Sequence, residues 1–251
     1  MKLNIEGKKA LVTGASRGIG EAIVTSLLAE GVHVMGTSRT APETISDSRF
    51  NFCLSDLSKP SGAYSLIAKL DELGYEPDIL VQNVGGNLGY TDPLKTSFGW
   101  KEVSDFNLTC AMILNEAFIP KMISRKWGRI CHISSIAALE NQGPPAYCAA
   151  KAALNAYVRS LGRYVAKDNV ILTTIMPGAI LTKGGYWDDA QKNRPEHVSS
   201  YLKDRMASQR FGEPDEVAKL VSVFVSDIAS FCPGTSMLVD GGQGRVFFSD
   251  L

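Results

Sequence analysis

The chain has 251 residues with 26 basic and 26 acidic side chains, so its formal charge is zero. It shows no basic stripe or polybasic tail, which argues against nucleic acid or an anionic membrane as partner, and no apolar run approaches the roughly 18 residues of a membrane span. Five cysteines (Cys53, Cys110, Cys131, Cys148, Cys232) without C-x-x-C spacing predict buried free thiols in a reducing compartment, and the N-terminus is too short and too charged for a signal peptide, so the expected location is cytoplasmic.

The first pattern in the chain is Ala10 to Gly20: a short apolar run, three glycines (Gly14, Gly18, Gly20), then Ala22, Ile23, Leu27 and Leu28 at helical spacing. This predicts a strand, a turn and a helix start. A glycine-rich turn there lets backbone amides approach a pyrophosphate, whose charge the new helix dipole favours. Strands follow at 32–37 and 50–54, a helix at 59–73, and a short buried strand at 79–81 closed by Gly85-Gly86. A long helix or a bent pair spans 100–127, followed by a strand at 129–133, a helix at 147–166 and a strand at 170–175 stopped by Pro177-Gly178. A helix at 214–225 begins near Pro214, and a last strand lies at 237–239. The alternation, with strands apolar on both faces, predicts one α/β domain over 1–251. It is a doubly wound Rossmann-type fold whose mostly parallel seven-stranded sheet carries helices on both faces. In such a sheet ligands bind beyond the carboxyl ends of the strands. The irregular, polar insertion at 183–210 reads as a mobile substrate lid.

The glycine spacing is G-x-x-x-G-x-G. It resembles the T-G-x-x-x-G-x-G pattern of the short-chain dehydrogenase/reductase family, matched by Thr13, Gly14, Gly18 and Gly20. A second motif supports the resemblance. Tyr147 and Lys151 stand four apart among helix formers, which puts both on one helical face. A free phenol, with a pKa of about 10, is a poor proton donor-acceptor at neutral pH; an ammonium one turn away beside an oxidised nicotinamide would lower that value. Ser134-Ser135 ends the preceding strand, and Asn107 lies inside the long helix. The resemblance implies a tetrad in which Tyr147 is the acid/base, Ser135 polarises a substrate carbonyl, Lys151 grips ribose hydroxyls and tunes Tyr147, and Asn107 holds a relay water. The Ser135–Tyr147 loop is one residue shorter than usual, so Ser134 is the alternative serine. The family's N-N-A-G is here Gln82-Asn83-Val84-Gly85. Further matches, covering residues 6–243, imply cofactor contacts from Ser16, Arg17 and Ile19 in the turn, from Asp56-Leu57 near adenine, and from Asn83 and Gly85. Pro177, Gly178, Ile180 and Thr182 match near the nicotinamide, and Val239-Asp240-Gly241-Gly242 at the C-terminus.

An acidic residue at the end of strand two would mark NAD; here Ser38 stands in its place, and Arg39 with Arg17 offers planar donors to a 2′-phosphate. The expected cofactor is therefore NADP(H), NAD(H) being the lesser alternative, and the expected reaction is reduction of a ketone to a secondary alcohol. The substrate is a 3-oxoacyl thioester or a polar, sugar-like ketone, the latter suggested by Tyr186, Trp187, Asp188, Asp189, Lys192 and Arg194 in the insertion. His33, His132 and His197 lack ligand spacing, so no metal is expected. The family resemblance and the apolar content of 103–118 and 152–165 suggest a homotetramer or homodimer. Two rivals were weighed. Gly14-Ala15-Ser16-Arg17-Gly18 also fits the hydrolase elbow G-x-S-x-G, but only one strand precedes Ser16. A non-catalytic nucleotide-binding regulator on the same fold would be expected to show a damaged tetrad.

Overall fold

The structure is a computed structural model that describes residues 2–140 and 142–245. In chain order it runs β1 (Lys9–Thr13), α1 (Gly18–Ala29), β2 (His33–Ser38), β3 (Phe50–Leu54), α2 (Pro60–Glu72) and β4 (Ile79–Gln82). Then come α3 (Trp100–Ser104), a π-helical turn (Asp105–Thr109), α4 (Cys110–Ser124), β5 (Gly128–Ile133), α5 (Pro145–Val165) and β6 (Val170–Pro177). The chain continues through α6 (Tyr186–Asn193), α7 (Pro195–Arg205), α8 (Pro214–Phe224) and β7 (Ser236–Val239). The seven strands form one sheet in the order β3-β2-β1-β4-β5-β6-β7, with every pairing parallel. The sheet is thus wholly rather than mostly parallel.

Parallel strands are buried on both faces, and the side-chain period of two divides them cleanly. Leu11, Leu80, Ile130 and Leu172 pack under α2, α4 and α5, while Val12, Val81, Cys131 and Ile175 pack under α1 and α8. Strand order reverses between β1 and β4, so the loops after these two strands diverge and leave a crevice at the carboxyl edge. The threonine ending β1 sets the width of that crevice: the Thr13 hydroxyl accepts the backbone N–H groups of Asn83 (3.0 Å) and Val84 (3.2 Å).

The segment 183–210 differs from the expectation of irregular chain. It folds as the helix pair α6–α7 over a small core of its own, formed by Ala179, Ala190, Val198, Met206 and Phe211. Trp187 packs there against Tyr201 (ring centroids 4.2 Å) and Phe211 (4.7 Å). Charged residues interleave with these aromatics and mask their helical period in the sequence. Those charges are largely spent locally. Asp188 accepts from the Gly184 N–H and from Lys192, and Asp189 accepts from Asn193, so the carboxylates that suggested a polar substrate serve the start of α6 and its i,i+4 pairs.

One other reading is corrected by burial. Cys53, Cys110 and Cys131 are buried free thiols, but Cys148 and Cys232 are half-exposed. The apolar residues of 103–118 and 152–165 are mostly interior: Cys110, Ile113, Leu114, Phe118, Leu154 and Val158 all belong to the core. Among the described residues no helix is long and apolar enough to cross a membrane.

Candidate active site

An open cleft of about 540 Å³ lies at the carboxyl edge of the sheet. It is lined by Gly14, Ser16, Arg17, Ser38, Arg39, Asp56, Leu57, Asn83 and Gly85, together with Thr40, Ser55, Val84 and Phe106. Nine of these thirteen are sequence-predicted. The other four sit near a predicted neighbour, Ser55 before Asp56 and Phe106 before Asn107, and strand-end position was the signal that could have named Thr40, Ser55 and Val84.

The glycine turn is shaped by close approach. Gly14 has φ +68° and Gly18 φ +59°, conformations that favour glycine. A Cβ on Gly20 would lie 1.9 Å from the Gly14 carbonyl oxygen, so α1 can start only if that position is bare. Gly20 is therefore a packing glycine, and Ile19 leans on the apolar core. Asn83 Nδ2 donates to the Gly14 carbonyl at 3.2 Å and holds the turn from behind. The N-cap of α1, Arg17, supplies no side-chain cap, so the N–H donors of the first helical turn keep no side-chain partner. That is the donor set a phosphate needs.

The two arginines share the cleft but do different things. Arg39 lies beside Ser38 and Asp56; the Ser58 N–H, and with it the Ser58 hydroxyl and the Arg39 charge, hold the Asp56 carboxyl below its usual range. Arg17 donates to the carbonyl of Gly184 at 3.3 Å, bridging the glycine turn to the loop after β6. Thr182 on that loop packs against Gly18, where a Cβ would meet Thr182 Cγ2 at 3.0 Å. Pro177, Gly178 and Ile180 continue the same loop, which is pinned to residue 212 by a parallel bridge at Ile180.

Behind the Gly85 wall of the cleft the tetrad candidates gather. Asn107 sits in the π-helical turn, where the helix gains one residue and rotates its register. Its side chain is almost fully used: Nδ2 donates to the carbonyls of Gly86 (2.7 Å) and Val103 (2.8 Å), and Oδ1 accepts the Gly86 N–H (3.0 Å). Asn107 therefore fixes the loop after β4, and no side-chain N–H remains for a relay water. A Cβ on Gly85 would lie 2.6 Å from Asn107 Oδ1 and 2.7 Å from Lys151 Nζ. One bare position thus lets both groups meet.

Ser135, extended and N-capping a short 3₁₀ turn, accepts from Ala137 N at 3.1 Å and hydrogen-bonds Tyr147. Ser134 is buried and its hydroxyl reaches the Lys151 carbonyl instead. Of the two serines, the geometry brings only Ser135 to the phenol. Burial pushes the Tyr147 phenol above its ordinary range, with the Ser135 hydrogen bond pulling the other way. Lys151 Nζ donates to the Ile133 carbonyl at 3.0 Å and stands 5.8 Å from the Tyr147 ring centroid. Lys151 is itself wholly buried, and desolvation brings its ammonium down from 10.5 to about 8.

That depression has a stability consequence. Below pH 8 the folded chain carries a buried ammonium that the unfolded chain would hold in water, a cost of about 3 kcal/mol at pH 7 that disappears as pH rises from 8 to 10.5. Lys151→Met is expected to raise the thermal unfolding midpoint at pH 7, and the gain over the parent should vanish near pH 10.5. Calorimetry at the two pH values checks this.

Comparison with known proteins gives the arrangement its context. The short chain dehydrogenase family model matches residues 8–192. The chain belongs to the short-chain dehydrogenase family. Among its relatives in that family, a 3-oxoacyl-[acyl-carrier-protein] reductase of Vibrio cholerae is 33% identical over 248 residues, 96% of this chain and 99% of the relative. A 3-oxoacyl (acyl-carrier-protein) reductase of Agrobacterium tumefaciens, solved with NADP bound, superposes with TM-score 0.85 at 29% identity over 96% of each chain. L-sorbose reductase of Gluconobacter frateurii, solved with NADPH and L-sorbose, superposes with TM-score 0.86 at 26% identity over 100% of both chains.

Proposed function

We propose that this member of the family is an NADPH-dependent reductase that converts a ketone to a secondary alcohol. The observation carrying this reading is the layout of one crevice. Arg39, Ser38 and the uncapped start of α1 border the cleft, and behind its Gly85 wall Lys151 and Asn107 meet, with Ser135 hydrogen-bonded to Tyr147 one helical turn from Lys151. When bound, the dinucleotide supplies the hydride. The protein supplies the rest. Ser16, Arg17, Gly18 and the first turn of α1 take the pyrophosphate; Ser38 and Arg39 take the ribose 2′-phosphate; Asp56 and Leu57 flank the adenine; Pro177, Gly178, Ile180 and Thr182 face the nicotinamide. Ser135 orients the carbonyl oxygen, and Tyr147 donates its phenolic proton to that oxygen as alkoxide charge develops. Lys151 holds ribose hydroxyls and restores charge near the phenol. The pair α6–α7 serves as the substrate lid. The named relatives and neighbours favour 3-oxoacyl thioesters on one side and sugar ketones on the other.

The experiment is NADPH consumption with a panel of both ketone classes, repeated with NADH and with Arg39→Ala. The parent is expected to prefer NADPH, and Arg39→Ala to lose roughly 10- to 100-fold in kcat/KM with NADPH while changing little with NADH, the cost of one charge-assisted phosphate contact. A parent that prefers NADH, or that oxidises NADPH with no ketone in either class, overturns the proposal.

A further inference from the structure

Gln243 lies four residues beyond β7 and is only 3% exposed, unusual for an amide outside any element. The turn before it aims the side chain inward: the Asp240 carboxylate accepts from the N–H groups of Gly242 (3.0 Å) and Gly244 (2.8 Å), and Gly241 and Gly242 take φ +61° and +75°. Both ends of the amide are used. Oε1 accepts the Ala179 N–H at 2.8 Å, on the loop after β6, and Nε2 donates to the hydroxyl of Tyr201 on α7. Gly178 makes room for this, since a Cβ there would lie 2.6 Å from Gln243 Oε1. Tyr201 in turn packs on Trp187 and belongs to the aromatic core of α6–α7, which is separate from the two cores flanking the sheet. Next along the chain, Arg245 donates through its backbone N–H to the Glu140 carboxylate and through its guanidinium to the Asp204 carbonyl at 3.0 Å. Residues 240–245 therefore tie three walls together: the loop after β6, the helix pair α6–α7, and the loop carrying Ser135 to Tyr147.

We propose that Gln243 is a positioning residue for substrate recognition, locking the separate core of α6–α7 to the Pro177–Thr182 loop through Tyr201 and Ala179. This rests on the reductase reading, in which that helix pair covers the substrate. Tyr201 does not line the dinucleotide cleft, and its loss leaves the Ala179 anchor of the loop after β6 in place, so it acts on the ketone and not on the cofactor. Gln243→Leu removes both hydrogen bonds, Tyr201→Phe removes only the link to the helix pair, and Gln243→Glu restores both. A carboxyl group there pairs with the Ala179 N–H and the Tyr201 hydroxyl in either protonation state.

The test uses the full chain. Ketone KM is expected to rise about tenfold in Gln243→Leu and in Tyr201→Phe and to return in Gln243→Glu, with kcat within about threefold and NADPH Kd within about twofold of the parent in Tyr201→Phe. Trypsin cleavage at the exposed Lys192 and Lys203 is expected to quicken about fivefold or more in the same two variants and to recover in Gln243→Glu. Unchanged KM and unchanged proteolysis overturn the proposal, as does an NADPH Kd that rises in step with KM in Tyr201→Phe. If the parent reduces no ketone, the reductase reading fails by itself, and the proteolysis pattern still decides whether Gln243 locks the helix pair.

Discussion

Tyr147→Phe is expected to lower kcat/KM for ketone reduction about 10³-fold while leaving NADPH Kd within about twofold. General acid catalysis contributes on the order of 10² to 10⁴. The substitution removes one hydroxyl and keeps the ring, which packs against the cluster of Val103, Ala146 and Ala150 below the Lys151 ammonium, and Phe fills the same volume. The remaining hydroxyl nearby, that of Ser135, has an ordinary alcohol's acidity and cannot replace a phenol as donor. Stopped-flow measurement of NADPH oxidation together with fluorescence titration of NADPH separates the chemistry from the binding. Activity retained above about a tenth of the parent would move the proton donor elsewhere. The pH dependence follows in sign. Reduction consumes the neutral phenol, the form that burial favours, so the rate should hold across neutral pH and decline only in alkali.

The second large effect belongs to His132, on β5 two residues before Ser134. Its state is fixed by a chain of hydrogen bonds. The Ala111 carbonyl accepts from Gln82 Nε2, which also donates to Asn115 Oδ1 at 2.7 Å. Asn115 Nδ2 is thereby turned toward His132 Nε2 at 3.3 Å and the Tyr157 hydroxyl at 3.2 Å. Nε2 must accept, so the neutral imidazole carries its proton on Nδ1. Complete burial, reinforced by the nearby Lys151 charge, brings the imidazole from its ordinary 6.5 down to about 3. The unfolded chain takes up a proton between pH 6.5 and 3 that the folded chain refuses, so stability present above pH 6.5 is lost as pH falls toward 3. The loss amounts to about 5 kcal/mol. Urea unfolding at pH 7 and pH 4 is expected to show this acid loss in the parent, and His132→Asn is expected to remove most of it. Equal acid sensitivity in the two proteins would place the effect on other groups.

The sheet was readable because its strands are apolar on both faces and its glycines and prolines stand at strand ends; the turn at Gly14–Gly20 and the Tyr147–Lys151 spacing are local in sequence. What stayed hidden depends on contacts between distant residues. The π-helical turn at Asn107 adds one residue to a continuous apolar pattern, which no period reports. The core of α6–α7 is diluted by Asp188, Asp189 and Lys192, whose partners lie within the same helix. Spacing placed Lys151 beside Tyr147, yet the Ile133 carbonyl, 18 residues away in sequence, decides where its ammonium points. The preference for Ser135 over Ser134 likewise needed the loop to be built. Gln243 carried no signal, since a single glutamine near a C-terminus reads as solvent-facing.

The clasp between Thr13 and the loop after β4 also bears on how the molecule is made. The hydroxyl and the N–H groups it gathers are 70 and 71 residues apart. During synthesis the glycine turn therefore emerges long before the strand that completes it, and until β4 arrives the inner edge of β1, with Leu11 and Val12, is unpaired. Closing so long a segment is slow relative to local helix formation. The apolar face of α1 waits longer still, since its partner α8 is made only after residue 214, so the nascent chain must stay unaggregated until nearly all of the fold has emerged.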